Sequence, residues 1–481
     1  MQFTREITRL LAAFIVSLFI VAGAAAYWAV VGPDTILGRD DNPRRVVAEA
    51  RIRRGAIYDR NGEVLVETVV ENDGAVRRNY LYPATASALG YYSLRYGVGG
   101  AEAAYDSILR GDTVTRDFGE TLVNSLLHRP QEGSDIRVSL DLELQTVIAE
   151  AMKGQTGAVV MLDVPSGQIL ALASVPTFDP NTLDADWETL RSAESQPFFN
   201  RALQGSYQPG GTLQTPLMAA ALLYNRPLNV PLQPATRPVQ IDDLELGCAV
   251  RLPEIALSLR ESYAFACPFP FAVLGEALGP ATLAATLETF GLTRQPTLPG
   301  FTAPATAPTP TPEALVIGRD DVIAAAVGQH DLTVSPLQMA MLAAGIVNDG
   351  NAPLPYMLLE TRAPGASVWE PVQAIRPTSP IATMNTARQL QDLMRYAVAN
   401  GAAQNAGRPN IDIGGHASLA YAGEGPLSWF IGFTTISARR GVAIAVVLEN
   451  SADPGLAADI GGTALAVAHG QLQAASANSG A

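Results

Sequence analysis

The strongest constraint on this chain is an apolar run from Leu10 to Val31, broken only by Ser17 and small residues and closed by Gly32-Pro33. At a helical rise of about 1.5 Å per residue, a run of this length spans the hydrocarbon core of a bilayer. Arg5 and Arg9 precede it, so the positive-inside rule keeps the N-terminus cytoplasmic and sends the rest of the chain across. A cleaved signal peptide ending near Ala24-Ala25-Ala26 is the rival reading, and the length of the run favours an uncleaved anchor. Residues 1–32 are therefore expected to be a stub and single-pass anchor in the cytoplasmic membrane, with an extracytoplasmic fold behind them.

With 481 residues the chain exceeds what one core usually serves. A hydrophobic share of 48% against 16% charged excludes a disordered chain, and a net charge of −14 excludes a nucleic-acid binder. No Cys/His cluster has the spacing of metal ligands, and His128, His330, His416 and His469 are scattered. No cofactor is expected. Cys248 and Cys267 could close one disulfide loop outside the cytoplasm or stay as two buried thiols.

After a polar connector, Asn61-Gly62 marks a hairpin between Ala56-Ile57-Tyr58 and Val64-Leu65-Val66. Residues 33–130 hold few apolar runs and read as a small pedestal. From 131 the pattern strengthens. Ile136 to Leu140 alternates as a strand, Asp141 caps a helix through Met152, and Ala158 to Leu162 pairs with Ile169 to Ala173 as a hairpin. Helices are predicted over Thr212–Tyr224, Glu254–Arg260, Phe271–Leu278, Pro336–Val347, Ala387–Val398 and Leu456–Leu472, with Ser335 capping the fourth. Thr293 to Pro312 is a Pro/Thr-rich loop. Strands follow at Ile411–Ala420, Ser428–Thr434 and Val442–Leu448, the last apolar on both faces. Early and late strands sharing one antiparallel sheet, with helices on both faces, give an α+β domain over 131–473 and a flexible tail over 474–481.

These segments resemble the class B penicillin-binding proteins, the membrane-anchored D,D-transpeptidases of peptidoglycan synthesis. The likeness includes Arg54-Gly55-Ala56-Ile57-Tyr58-Asp59-Arg60-Asn61-Gly62, Asp141-Leu142-Glu143-Leu144-Gln145, Pro176-Thr177-Phe178-Asp179-Pro180-Asn181, Val334-Ser335-Pro336-Leu337-Gln338 and Trp429-Phe430-Ile431-Gly432-Phe433. The resemblance implies the serine β-lactamase/transpeptidase fold on a short pedestal.

That family works through three motifs, SxxK, SxN and KTG, and this chain departs from each. Pro209-Gly210-Gly211-Thr212-Leu213-Gln214 stands where PGSTFK is usual, so Gly211 and Gln214 replace the nucleophile and its base. Ala266-Cys267-Pro268 stands at SxN. Gly415-His416-Ala417-Ser418-Leu419 stands at GKTGT. Glycine has no atom to acylate and a neutral amide takes no proton near pH 7. The single lysine, Lys153, lies outside every motif and suits the C-terminal end of a helix.

Other residues are candidates for surviving chemistry: a Thr212 nucleophile one residue out of place, a carboxylate pair of Asp412 and Glu424, and His416 either as a titratable cation for a carboxylate or as a surface or cleft histidine without a partner. The expectation is an inactive homologue acting by binding within cell-wall synthesis or division. Peptidoglycan stem peptides or other cell-wall and division proteins would be its partners. An active D,D-transpeptidase or carboxypeptidase with unconventional residues is the alternative.

Overall fold

A computed structural model of the chain describes residues 2–32, 49–71, 76–114, 129–301, 315–372, 377–423, 425–437 and 440–479. Glu424, His128 and most of the Pro/Thr-rich loop lie outside these residues. Helix α1 (Gln2–Gly32) contains a 21-residue apolar segment, Arg5–Ala25, none of it buried against the protein, as expected of a membrane span.

The N-terminal domain is built on a hairpin of β1 (Ile57–Tyr58) and β2 (Val64–Val70), followed by β3 (Val76–Tyr80). Asp59 holds the hairpin turn by accepting the backbone N–H groups of Asn61 and Glu63, both at 2.8 Å. Gly55 is required for packing, because a Cβ there would lie 1.9 Å from the Ser134 carbonyl oxygen. Strand β4 (Asp135–Val138) runs parallel to β1. The sheet is completed from far down the chain by Leu358–Arg362 and Glu370–Pro371. The Ile136 strand, read from sequence as opening the second domain, thus belongs to the N-terminal sheet. Alternation alone cannot tell a strand which sheet to join.

Inside this domain Glu102 is fully buried. Arg54 donates to one of its oxygens at 2.7 Å and Arg78 to the other at 2.8 Å. Burial opposes the charge, but the two guanidinium groups hold the Glu102 carboxyl below the usual carboxylate range.

The second domain begins with α2 (Leu142–Ala151), whose N-cap Asp141 accepts from the Leu144 N–H. Strands β5 (Gly157–Val164) and β6 (Ile169–Val175) form the expected hairpin. A 3-10 turn, Gly210–Leu213, leads into α3 (Gln214–Leu223). The helix expected over 254–260 lies further on, as α4 (Leu259–Ala264). Its start is set by a capping box between Ser258 and Glu261, while Leu257–Ser258 pairs as a short strand with Pro231–Leu232. Helices α5 (Pro268–Leu278), α6 (Pro280–Thr289), α7 (Pro336–Val347) and α8 (Met384–Asn400) follow. Ser335 and Gln338 cap α7 reciprocally, with Pro336 at its first position.

Strands β7 (Ile413–Ala422), β8 (Gly425–Ser437) and β9 (Arg440–Glu449) and helix α9 (Pro454–Ser479) close the fold. The five-stranded antiparallel sheet has the order β7-β8-β9-β5-β6, so early and late strands share it as the sequence implied. Ala443, Ala445 and Val447 of β9 join one core cluster with α7; Val442, Ile444, Val446 and Leu448 join the other with α9. Each buried Val, Ile or Leu contributes about 1.5–3 kcal/mol, which explains a strand apolar on both faces. Helix α9 continues through Ser479, across residues read as a tail.

Candidate active site

Edge strand β7 packs directly on the 3-10 turn that opens α3. The two glycines of the turn pass where a Cβ would collide with the strand. Gly210 has φ +51°, and a Cβ on it would lie 2.3 Å from the Leu419 carbonyl oxygen. Its N–H is bonded to the Gly328 carbonyl at 3.0 Å. Gly328 is itself pressed on Gly210, where its Cβ would come within 2.3 Å of the carbonyl oxygen.

Residues Gly211, Gln214, His416 and Ser418, predicted from two separate stretches of sequence, meet here. A Cβ built on Gly211 would lie 2.7 Å from Ser418 Cβ, 3.3 Å from Ser418 Oγ and 3.6 Å from Gln214 Nε2. His416 Nε2 is 3.0 Å from the Gly211 carbonyl oxygen. A carbonyl only accepts, so Nε2 carries the proton and Nδ1 presents a lone pair. The imidazole stacks on Tyr263 with centroids 4.2 Å apart and planes at 13°. It is wholly buried, and burial pushes its pKa down to about 4, against a smaller raising effect of the Gly211 carbonyl. His416 is therefore neutral at pH 7. Neither expectation for it holds, since it is neither a cation for a carboxylate nor a histidine without a partner.

Ala417, the intervening residue, points through the sheet into the cluster beneath α9, as strand alternation requires. Ser418 shares His416's face and is also fully buried. Among the described residues, Gln214 Oε1, His416 Nδ1 and Ser418 Oγ are buried polar atoms without a hydrogen-bond partner.

The third predicted stretch connects through Tyr263. The Ala266 N–H bonds the Tyr263 carbonyl at 3.1 Å, and Ala266 takes φ +49°, uncommon for a residue with a side chain. Cys267 is bonded to Cys248, which resolves the two alternatives left open by the sequence in favour of the disulfide. Pro268 begins α5, where the missing N–H costs nothing. Sequence reasoning missed Tyr263, the platform beneath His416, whose hydroxyl lies 3.0 Å from Thr215 Oγ1. One tyrosine in a short capped helix carries no pattern that marks such a role.

The remaining candidates lie apart from any reactive arrangement. Thr212 is fully buried and donates its hydroxyl to the Pro209 carbonyl at 2.6 Å. Asp412 is paired with Arg395 at 2.8 Å and accepts from Thr435 at 2.6 Å. Lys153 is exposed and 3.2 Å from Glu150. A groove of about 690 Å³ opens elsewhere, between α3, α6 and the start of α8, lined by residues such as Leu223, Tyr224, Ala285 and Phe290. None of the predicted site residues lines it.

Comparison with known proteins agrees with this architecture. The penicillin binding protein transpeptidase domain model matches residues 157–466, and the penicillin binding protein A dimerisation domain model matches residues 54–136. The peptidoglycan D,D-transpeptidase PbpA of Mycolicibacterium smegmatis is 31% identical over 498 residues, covering 96% of this chain and 98% of that protein. PbpA of Mycobacterium tuberculosis is 30% identical over 467 residues, covering 91% and 92%. A solved structure of penicillin-binding protein A from M. tuberculosis, an imipenem acyl-enzyme complex, superposes with a TM-score of 0.74 at 29% identity over 86% of this chain and 98% of that one. On domain content, sequence and fold together, the chain belongs to the penicillin-binding protein transpeptidase family.

Proposed function

We propose that this chain is a catalytically inactive penicillin-binding protein of peptidoglycan synthesis, held in the cytoplasmic membrane by α1 with its folded domains outside, and acting by binding rather than by acyl transfer. One observation carries the reading: position 211 has no side chain, and the space beside it is taken by Ser418. Acylation needs a nucleophile, a nearby base and donors for the developing charge. The neighbours of Gly211 are a neutral amide, a buried neutral imidazole and a buried hydroxyl. The rival reading, an active transpeptidase or carboxypeptidase, requires a free hydroxyl with a base. Thr212 is engaged with Pro209 and Ser418 is shut from solvent.

The partners proposed are other proteins of cell-wall synthesis or division. A stem peptide would look for a cation to hold its carboxylate, and His416 does not supply one at pH 7. The test is incubation of the purified full chain with a fluorescent penicillin, followed by denaturing electrophoresis. No retained label is expected. A covalent adduct abolished by substitution of Ser418 or Thr212 would overturn the proposal.

A further inference from the structure

We infer that Gly211 and Ser418 form a compensating pair, two positions that together have room for one side chain. This deepens the reading of an inactive site, on which it rests in part, by identifying what keeps position 211 empty. The argument is steric. Cβ atoms of real side chains essentially never approach below 3.0 Å, and a Cβ at 211 would stand 2.7 Å from Ser418 Cβ. Cβ is the stiff root of a side chain, so no rotamer change at Ser418 relieves the clash. Relief requires the strand or the turn to move.

Neither can move cheaply. On the turn side, Gly210 is locked between the Gly328 carbonyl and the β7 backbone, with a built Cβ at 2.3 Å from Leu419 O. The Gly211 carbonyl is tied to His416, which is clamped in turn by Tyr263. On the strand side, β7 pairs with β8 along its whole length, with Ser418 opposite Trp429. Trp429 is fully buried, and its indole N–H donates to the Gln208 carbonyl at 3.0 Å, just ahead of the turn. Strand and turn are thus fastened to each other on both sides of the contact.

The Ser418 hydroxyl has no compensating bond of its own. Its side chain contributes volume, and a serine restored at 211 would compete for that volume. Putting the family's nucleophile back by Gly211→Ser therefore strains this site unless Ser418→Gly accompanies it.

The experiment is a double-mutant cycle on the full chain in detergent, comparing parent, G211S, S418G and G211S/S418G by thermal unfolding. G211S should lower the apparent Tm by about 5 °C, in the range of overpacking a tight core. S418G should have a smaller effect. The double variant should be more stable than G211S, a reversal of sign for S418G in that background. If G211S does not accumulate as folded protein, recovery of folded protein in G211S/S418G is the supporting result. Two independent effects that add, or a G211S variant as stable as the parent, would overturn the pair. That failure is separate from failure of the inactive reading, which depends on covalent labelling of the parent and not on any Tm.

Discussion

Two buried polar clusters in this molecule are built on opposite principles. In the N-terminal domain, Glu102 is entirely buried and keeps its charge, because Arg54 and Arg78 each donate to it. In the cleft, Gln214, His416 and Ser418 are as deeply buried, yet none carries a charge at pH 7 and each leaves one atom unpartnered. The first cluster has a single unmatched donor, Arg78 Nη2. An incomplete ionic cluster is far more costly than an incomplete neutral one: an uncompensated buried charge costs about 3–5 kcal/mol, a lone neutral polar atom about 1–3. The N-terminal domain therefore depends on its buried charges being matched, while the site around Gly211 leaves its mismatches among neutral groups. None of these three residues offers a fixed charge at pH 7.

The largest expected effect tests the first half of this contrast. Glu102→Ala leaves the buried Arg78 without an anion and Arg54 with only the partly exposed Asp106, and should cost about 3–5 kcal/mol in denaturant unfolding of the full chain. The pH dependence has a definite sign. The folded pKa of Glu102 is depressed, so its contribution is present above the unfolded carboxylate value of about 4.3 and is lost as pH falls through the lower folded value. The acid limb of the parent's stability profile should shrink in E102A. An E102A variant matching the parent in both stability and acid limb would refute the ionic account of this domain.

The cleft should respond in a different window. His416 has a folded pKa of about 4 against an ordinary value of 6.5. Between those values the unfolded chain binds a proton that the folded chain refuses, so stability falls as pH drops from about 6.5 towards 4 and then levels for this group. The linkage amounts to roughly 3 kcal/mol. His416→Gln keeps a polar side chain without the titration, and its stability should vary less across that window. An unchanged slope between pH 6.5 and 4 in H416Q would place the titrating group elsewhere. Measured side by side, the two variants separate the clusters: one alters the profile below about pH 4.3, the other above it.

What could be read from sequence follows the range over which each signal acts. Caps were legible, because Asp141 and Ser335 act on N–H groups three residues away. The apolar run of β9 was legible, because burial on both faces leaves no polar alternation. The strand at 135–138 was legible as a strand but not as part of the N-terminal sheet, since its partners are near residues 57 and 360. At the site, family motifs located Gly211, Gln214, His416 and Ser418. They did not reveal that Ser418 fills the space beside Gly211, which depends on a contact spanning about two hundred residues. Nor did they show His416 buried, because a histidine between Gly415 and Ala417 in a sequence looks the same exposed or stacked. Tyr263 went unseen for that reason too.

The smallest expected effect concerns the only lysine. Lys153 follows the end of α2, three-quarters exposed, and its ammonium lies 3.2 Å from an equally exposed Glu150. Exposed pairs of this kind contribute roughly 0–1 kcal/mol because water screens both charges and the long side chains lose entropy on pairing. Among the described residues its ion-pair partner is Glu150, while Gln214, in the position of the family's base, lies beside Gly211. Lys153→Ala should therefore change unfolding free energy by less than about 0.5 kcal/mol and leave the penicillin-labelling result of the parent untouched. If labelling were found in the parent and K153A abolished it, the lysine would have to reach the cleft by a rearrangement of α2. That would require breaking Asp141's cap and the packing of Leu144 and Ile148 against the sheet. Loss of label in K153A would thus overturn the neutral-cleft half of the comparison, and its retention would point back to the hydroxyls of Ser418 and Thr212.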